Sequence, residues 1–334
     1  MLIEFEPRNE SRPCYRRTAR FNVVARLPFH GAAQLDDAER QVVDRIVAEV
    51  ASREHRLPVF DRPTTGRRSM VREILVDQLL IPEGRGHYYL NPYCGCMVGC
   101  SFCYVQERAD LARQLEGLPA LPWGRYLDVK VNAAEILAAE VHRHPPGIVR
   151  FAPILTEPYQ AVERHYRVTR ACLEVLLGTG FAPVVLTRSA MVLEDLELLA
   201  SFPRSLVGFS IPSDQDRMRL IFEPGADPIE ERIEALASLH AGGLNTMAVI
   251  QPLLPMDPAR VVELVAPHVD FVRIDRAYFF ERVLHLYQEN GLTDFCTPQY
   301  FQQTERALRQ AFVRRGVRIE PMDDLRPLLA VRPG

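Results

Sequence analysis

The sequence predicts an α/β fold: a partial (β/α)6 TIM-type barrel with N- and C-terminal extensions. Three observations lead there. Short apolar runs rich in Val, Ile and Phe alternate with longer stretches of helical periodicity. Several runs are apolar on successive residues, as strands buried on both faces are. Strand–helix alternation at this spacing builds right-handed βαβ units on a parallel sheet. Six strands suffice for a partial barrel and fall short of a full eight-stranded one. A doubly wound open sheet fits the alternation nearly as well.

The expected strands, in order, are HYYLNPY (87–93), IVRFAPIL (148–155), APVVLT (182–187), SLVGFSI (205–211), NTMAVIQPLL (245–254) and DFVRIDRAYF (270–279). Helices between them carry start signals. Asn132 and Glu135 read as a capping box before AAEILAAEV. Asp227-Pro228 with Glu230 opens IEERIEALASLH, which Gly242-Gly243 closes. Asp257-Pro258 opens ARVVELV, and Thr297-Pro298 opens a long helix to about Val313. Residues 1–85 lack the rhythm. They hold an amphipathic helical pattern, QLDDAERQVVDRIVAEVAS, and basic, Pro-containing loops, PRNESRPCYRRT and DRPTTGRRSMVR. Three regions follow: an N-terminal extension (1–85), a barrel core (86–280) and a helical C-terminal extension (281–334).

The 334 residues are 47% apolar and 25% charged, with a formal net charge of −3. That balance argues against a broad nucleic-acid-binding face. The arginine groups at 16–17, 67–68 and 314–315 read as solvated faces. No run reaches the apolar length needed to span a bilayer. The start, MLIEFEPRNE, has no secretory pattern, so a cytoplasmic location and no membrane partner are expected.

Of seven cysteines, Cys94, Cys96, Cys100 and Cys103 crowd into one short segment, LNPYCGCMVGCSFCYVQE. In a cytosolic chain such crowding reads as metal or redox chemistry rather than disulfides. Cys96, Cys100 and Cys103 follow C-x3-C-x2-C spacing directly after the first expected strand. Three thiolates can ligate three irons of a [4Fe–4S] cluster and leave the fourth iron open. Gly95 and Gly99 let the loop turn tightly. A structural zinc site with Cys94 as the fourth ligand is the alternative. Zinc sites, however, usually come as two paired knuckles, and no second pair is present.

C-x3-C-x2-C with Phe102 before the last cysteine resembles the signature of the radical S-adenosylmethionine (SAM) superfamily. The wider segments NPYCGCMVGCSFCY, VKVNAAEIL, LTEPYQAVE, VLTRSAMVLEDLELL, FSIPS, FEPGADPIEERIEAL and QPLLP are similar, in order, to its spore photoproduct lyase-like branch. The resemblance covers roughly residues 87–280. It implies one [4Fe–4S] cluster on Cys96, Cys100 and Cys103. SAM binds the open iron, and its reductive cleavage gives a 5′-deoxyadenosyl radical that abstracts hydrogen from an organic substrate. It also implies a reducing partner such as flavodoxin or ferredoxin. By the same resemblance, Glu157 accepts from the SAM ammonium, Arg188 and Ser189 match a Lys-Ser pair of the SAM site, and Arg188 meets the SAM carboxylate. Ser210 meets the ribose, Phe102 and Tyr104 the adenine, and Gln251 lines the same pocket. Asn132 reads as a helix cap. Glu223 reads as structural, holding the loop before the next helix.

The chain departs from the branch pattern in three ways. Ile154-Leu155 stand where the photoproduct lyase has its hydrogen-donating cysteine. Arg188 replaces a lysine and Glu157 an aspartate. The first departure counts against repair of thymine photoproducts, and the slightly acidic net charge of −3 leads to a small-molecule substrate being expected ahead of a nucleic-acid lesion. Cys296 is the candidate hydrogen-atom donor, although a buried apolar cysteine reads equally well there. Tyr278, Tyr287 and Tyr300 are weaker candidates. A non-catalytic metal-binding regulator is the reading from another functional class.

Overall fold

The computed structural model describes residues 3–5, 15–17, 69–84, 86–106, 109–110, 121–151, 156–275, 280–320, 325–326 and 329. Cys14, the helical pattern at 34–52, Arg67-Arg68, Ile154-Leu155 and Tyr278 lie outside the described residues.

The described strands are β1 (Ile3–Phe5), β2 (Tyr15–Arg17), β3 (Ser69–Val76), β4 (Ile81–Gly84), β5 (His87–Tyr89), β6 (Tyr93–Gly95), β7 (Tyr126–Lys130), β8 (Ile148–Phe151), β9 (Ala182–Thr187), β10 (Leu206–Ser210), β11 (Asn245–Ile250), β12 (Phe271–Ile274) and β13 (Arg318–Ile319). The described α-helices are α1 (Ala133–Glu140), α2 (Glu163–Tyr166), α3 (Val168–Leu176), α4 (Leu196–Ala200), α5 (Asp216–Phe222), α6 (Ile229–Ala241), α7 (Pro258–Val265), α8 (Leu284–Glu289) and α9 (Pro298–Arg314). Among them, no helix is long and apolar enough to cross a membrane.

The main sheet is eight-stranded, in the order β13-β12-β11-β10-β9-β8-β5-β4. Every pairing from β5 to β13 is parallel, and β4 adds an antiparallel edge. The sheet is mixed α/β in its connections and, among the described residues, does not close into a barrel. All six expected strands are present. The two-residue β13 is too short to leave a periodic signal. HYYLNPY does not stay one strand: β5 ends at Tyr89, and Tyr93 begins β6 in a second sheet.

Alternation sorts the strand residues onto two faces. Val149, Val185, Val207, Ala248 and Val272 join Leu137, Leu173, Leu239, Val262 and Leu308 of the helices in the main core. The opposite face carries Ile148, Val184, Leu206, Met247 and Phe271, which meet Leu325 and Leu329. Two and four residues on along the strands, that same face presents Arg150, Arg273 and Ser210 toward the C-terminal strand ends. The polar residues of the candidate site therefore rise from an apolar floor.

The second sheet, β1-β3-β7-β6 with β2 also on β3, joins distant segments. The ends of both basic loops expected in the N-terminal extension are strands here: Tyr15–Arg17 forms β2 and Ser69–Arg72 opens β3. Three polar clamps hold β3 and the turn after it. Arg72 donates through Nε and Nη2 to Asp128 at 3.1 and 2.9 Å. Asn132 accepts from the Val76 amide and donates to its carbonyl, both at 2.9 Å. Glu140 accepts from the Leu79 and Leu80 amides, the latter at 2.7 Å.

The Asn132 clamp corrects the capping box. Asn132 stands at the N-cap of α1, but its side chain makes no cap bond, because Val76 takes both its polar atoms. Asp227 likewise does not cap α6 and binds elsewhere, as described below. The other two caps form as expected. Asp257 accepts from Ala259 at 2.9 Å, and Thr297 accepts from Tyr300 at 3.1 Å.

Candidate active site

The cysteine loop leaves β6 and is fastened from three sides. Thr156 Oγ1 donates to the Gly95 carbonyl at 2.8 Å, and the Met97 amide donates to Gln160 Oε1 at 2.6 Å. Trp123 Nε1 donates to the Cys100 carbonyl at 3.2 Å. From the last residue of α5, the Phe222 carbonyl accepts from the Ser101 amide at 2.9 Å. Gly95 and Gly99 take φ of +90° and +65°, the left-handed turns expected of them.

Cys96 and Cys100 are buried and Cys103 is half-buried. Burial pushes all three thiols above their ordinary range. Each sulfur also feels the charge of Arg188, which works the other way. Cys94 lies apart on β6, opposite Asp128. Among the described residues, no three His, Cys, Asp or Glu side chains converge on one point that would grip a single metal ion. A zinc site needs such convergence, with sulfurs about 2.3 Å from one ion.

Glu157, in the turn after β8, is buried and held by three donors. Thr187 Oγ1 donates to Oε1 at 2.5 Å, the Tyr159 amide to Oε1 at 3.2 Å and the Arg188 amide to Oε2 at 3.1 Å. Burial raises its carboxyl, opposed by Thr187 and then by the Arg188 charge.

Arg188 directly follows β9. Its Nε donates to Glu223 Oε1 at 2.5 Å. Its two terminal nitrogens donate to no described residue. Burial works against the guanidinium, but the Cys100 sulfur and Glu223 outweigh it and hold it above its ordinary range. Glu223, with 0% exposure, also accepts from Arg232 Nη1 at 2.9 Å through Oε2. Cys100 Sγ lies 3.9 Å from Glu223 Oε1.

Arg232 is fully buried. Nε donates to the Asp227 carbonyl and Nη1 also to the Ser210 carbonyl, at 2.7 and 2.9 Å. Its Nη2 is buried with no hydrogen-bond partner among the described residues. Such an orphaned donor asks for an acceptor from a bound molecule or water.

The remaining expected residues fall into two groups. Ser210 is the buried last residue of β10, and Gln251 sits half-buried after β11. Phe102 packs with Cys96 and Cys100, and Tyr104 is half-buried just beyond Cys103. Cys296 packs against the same apolar cluster, its Sγ 2.9 Å from the Thr293 carbonyl. Tyr287 is buried in that cluster too. The other group is committed elsewhere. Ser189 donates to Asp227 Oδ2 at 2.9 Å and caps the 3₁₀ turn at 190–195, while the Ala190 amide takes the same Asp227 oxygen at 2.7 Å. Tyr300 donates to the Leu254 carbonyl at 2.8 Å.

Sequence reasoning gave Glu223 only a structural role and passed over Arg232. A signal was available. Arg232 stands on the apolar stripe of α6, in phase with Ile229, Leu236 and Leu239. A charge on a buried stripe needs a buried partner.

A family model for the radical SAM superfamily matches residues 90–265, and the chain belongs to that superfamily. It is therefore an enzyme rather than a non-catalytic regulator. A protein of Methanocaldococcus jannaschii, called uncharacterized, is 26% identical over 58% of this chain and 69% of its own length. The radical SAM Nalpha-GlyT isomerase of Pseudomonas phage M6 is 26% identical over 49% of this chain and 33% of its own length. A structure of spore photoproduct lyase with bound AdoMet and dinucleoside spore photoproduct superposes with a TM-score of 0.56. It covers 82% of this chain and 94% of that one at 14% identity, and so shares the fold.

The superfamily uses a [4Fe–4S] cluster and SAM, and the residues here fit both. Three thiols of one loop lie near a guanidinium whose outer nitrogens donate to no described residue. The buried carboxylate of Glu157 adds an acceptor.

Proposed function

We propose that this chain is a radical SAM enzyme that abstracts hydrogen from a small organic substrate, leading to epimerisation, dehydrogenation, rearrangement or bond cleavage. One observation carries the reading: Cys96, Cys100 and Cys103 are fastened into one loop beside Arg188 and Glu157. In this reading the parallel strands form a partial (β/α)6 TIM-type barrel, residues 86–280, with 1–85 and 281–334 appended. The protein works in the reducing cytoplasm with a flavodoxin- or ferredoxin-type donor.

Cys96, Cys100 and Cys103 hold the cluster, each through one thiolate. The chemistry that the bound pair supplies is one-electron reduction and homolytic cleavage of SAM. Glu157 accepts from the SAM ammonium, its carboxylate being fixed by Thr187 on Oε1 and by the Arg188 amide on Oε2. The terminal nitrogens of Arg188 offer a fork to the SAM carboxylate. Ser189 supports Arg188 from the next position, through Asp227. Ser210 and Gln251 face the ribose side, and Phe102 and Tyr104 pack on the adenine. Cys296 serves as hydrogen-atom donor to the product radical, supported by its packing against the apolar cluster that contains Cys96 and Cys100.

Anaerobic reconstitution with iron and sulfide, reduction and addition of SAM tests the reading, with 5′-deoxyadenosine assayed by mass. The expected product disappears in Cys96→Ala, Cys100→Ala and Cys103→Ala and persists in Cys94→Ala. Zinc bound in place of iron sinks the proposal.

The shared fold with a lyase carrying a dinucleoside photoproduct supports a second reading, action on a nucleic-acid lesion. The net charge of −3 weighs against it. Salt-dependent retention of DNA by the folded protein would favour it.

A further inference from the structure

The turn Phe222–Ala226 forms a bed for the cysteine loop. The Phe222 carbonyl takes the Ser101 amide and also the Ser101 hydroxyl, at 2.9 and 3.2 Å. The Gly225 amide donates to the Val98 carbonyl at 3.0 Å. Glu223 sits in the middle of this bed, fully buried, with Cys100 Sγ 3.9 Å from one carboxylate oxygen.

A carboxylate taken wholly out of water is costly unless cations meet it. Two do: Arg188 at 2.5 Å on Oε1 and Arg232 at 2.9 Å on Oε2. Arg232 is anchored by two backbone carbonyls, of Asp227 and Ser210. Glu223 therefore has a fixed post, and it holds Arg188 from that post. Because Arg188 spends only Nε on Glu223, the other end of its guanidinium stays available.

We infer that Glu223 is a positioning residue for the iron–sulfur cluster: it orients Arg188 and places a negative charge beside the Cys100 sulfur that lowers the cluster's reduction potential. The inference rests on Cys100 being a cluster ligand, as proposed above. Its sign follows from electrostatics. Adding an electron to a cluster is harder when a fixed negative charge lies next to a ligand sulfur in a dry site. Neighbours of the ligands tune a metal centre in this way without touching the metal. Glu223 is also the acceptor toward which a Cys100 thiol points. A sulfur that gives up its proton to solvent on binding iron no longer donates there, and the carboxylate's effect on it becomes purely one of charge.

The test is a redox titration of the full-length, anaerobically reconstituted protein, followed by electron paramagnetic resonance without SAM. Wild type, Glu223→Gln and Glu223→Asp are compared at matched iron content. Glu223→Gln is expected to shift the midpoint to more positive potential, and Glu223→Asp to return it toward wild type. A purely structural role would lower iron loading and thermal stability in Glu223→Gln while leaving the midpoint of the loaded fraction at the wild-type value. That result overturns the inference. Should Glu223→Gln fail to load, Arg188→Gln decides. It removes the opposing cation, so a shift to more negative potential is expected, and an unchanged midpoint overturns the inference. A wild-type protein that takes up no cluster would instead defeat the proposed function.

Discussion

The Gly225 amide donates to the Val98 carbonyl at 3.0 Å, so the turn after α5 and the cysteine loop approach each other backbone to backbone. A Cβ built on Gly225 would lie 2.6 Å from the Met97 carbonyl oxygen and 2.9 Å from Val98 Cα. Neither neighbour is the end of a flexible side chain. Gly225→Ala is expected to push the loop off its bed at a cost of about 1–3 kcal/mol. Iron per chain after reconstitution should fall by more than half, with a lower Tm. Full loading at wild-type Tm would show that the loop has slack.

Glu157 is fixed by Thr187 and the Tyr159 and Arg188 amides, so its charge cannot swing away from a cation placed before it. Glu157→Gln keeps the shape and loses the charge. Hydrogen bonds to charged groups contribute about 1.5–3 kcal/mol. The Kd for SAM on the cluster-loaded protein should therefore rise about 10–100-fold, measured by equilibrium dialysis, with iron content unchanged. Unaltered SAM affinity would remove Glu157 from the site.

Asn132 satisfies both backbone groups of Val76. Asn132→Ala leaves an N–H and a C=O without their partner. The expected loss is about 2 kcal/mol in denaturant unfolding, larger than the removal of a helix cap. Asn132→Asp should not restore it, because an aspartate cannot donate to the Val76 carbonyl. Rescue by aspartate would return the residue to a capping role.

Glu163 is buried against the Tyr93 hydroxyl, which donates to it. Burial pushes its carboxyl up from 4.5 to about 7, opposed by Tyr93 and the Arg170 amide. A folded-state value above the unfolded one stabilises the protein fully below about pH 4.5. That contribution drains away as the pH rises to about 7, and amounts to about 3 kcal/mol. Glu163→Gln should be less sensitive to pH than wild type across this window. Parallel stability curves for the two proteins would rule Glu163 out.

The parallel strands were legible because both of their faces are apolar, so APVVLT and SLVGFSI stand out as uninterrupted runs. β7 did not stand out. Its YLDVK carries Asp128 and Lys130, and both are buried. The partner that makes Asp128 tolerable, Arg72, lies 56 positions away. No local window contains that pair. The same holds at the site. The cysteine spacing is local and was readable, whereas Glu223 acquires its meaning from Arg188, 35 positions earlier. Asn132 misled for the opposite reason: it occupies a cap position, and a distant backbone outcompetes the local amide.

The pairing of β3 with β7 bears on how this enzyme is handled at the bench. A recombinant fragment trimmed to the family-matched stretch, 90–265, would omit β3 altogether. The edge of β7 would then present a row of unpaired backbone groups, inviting strand addition and precipitation. Asp128 would lose Arg72, and Glu140 would lose the Leu79 and Leu80 amides. Boundaries drawn from sequence likeness would yield an insoluble product, and a vector that begins upstream of Ser69 is the prudent choice.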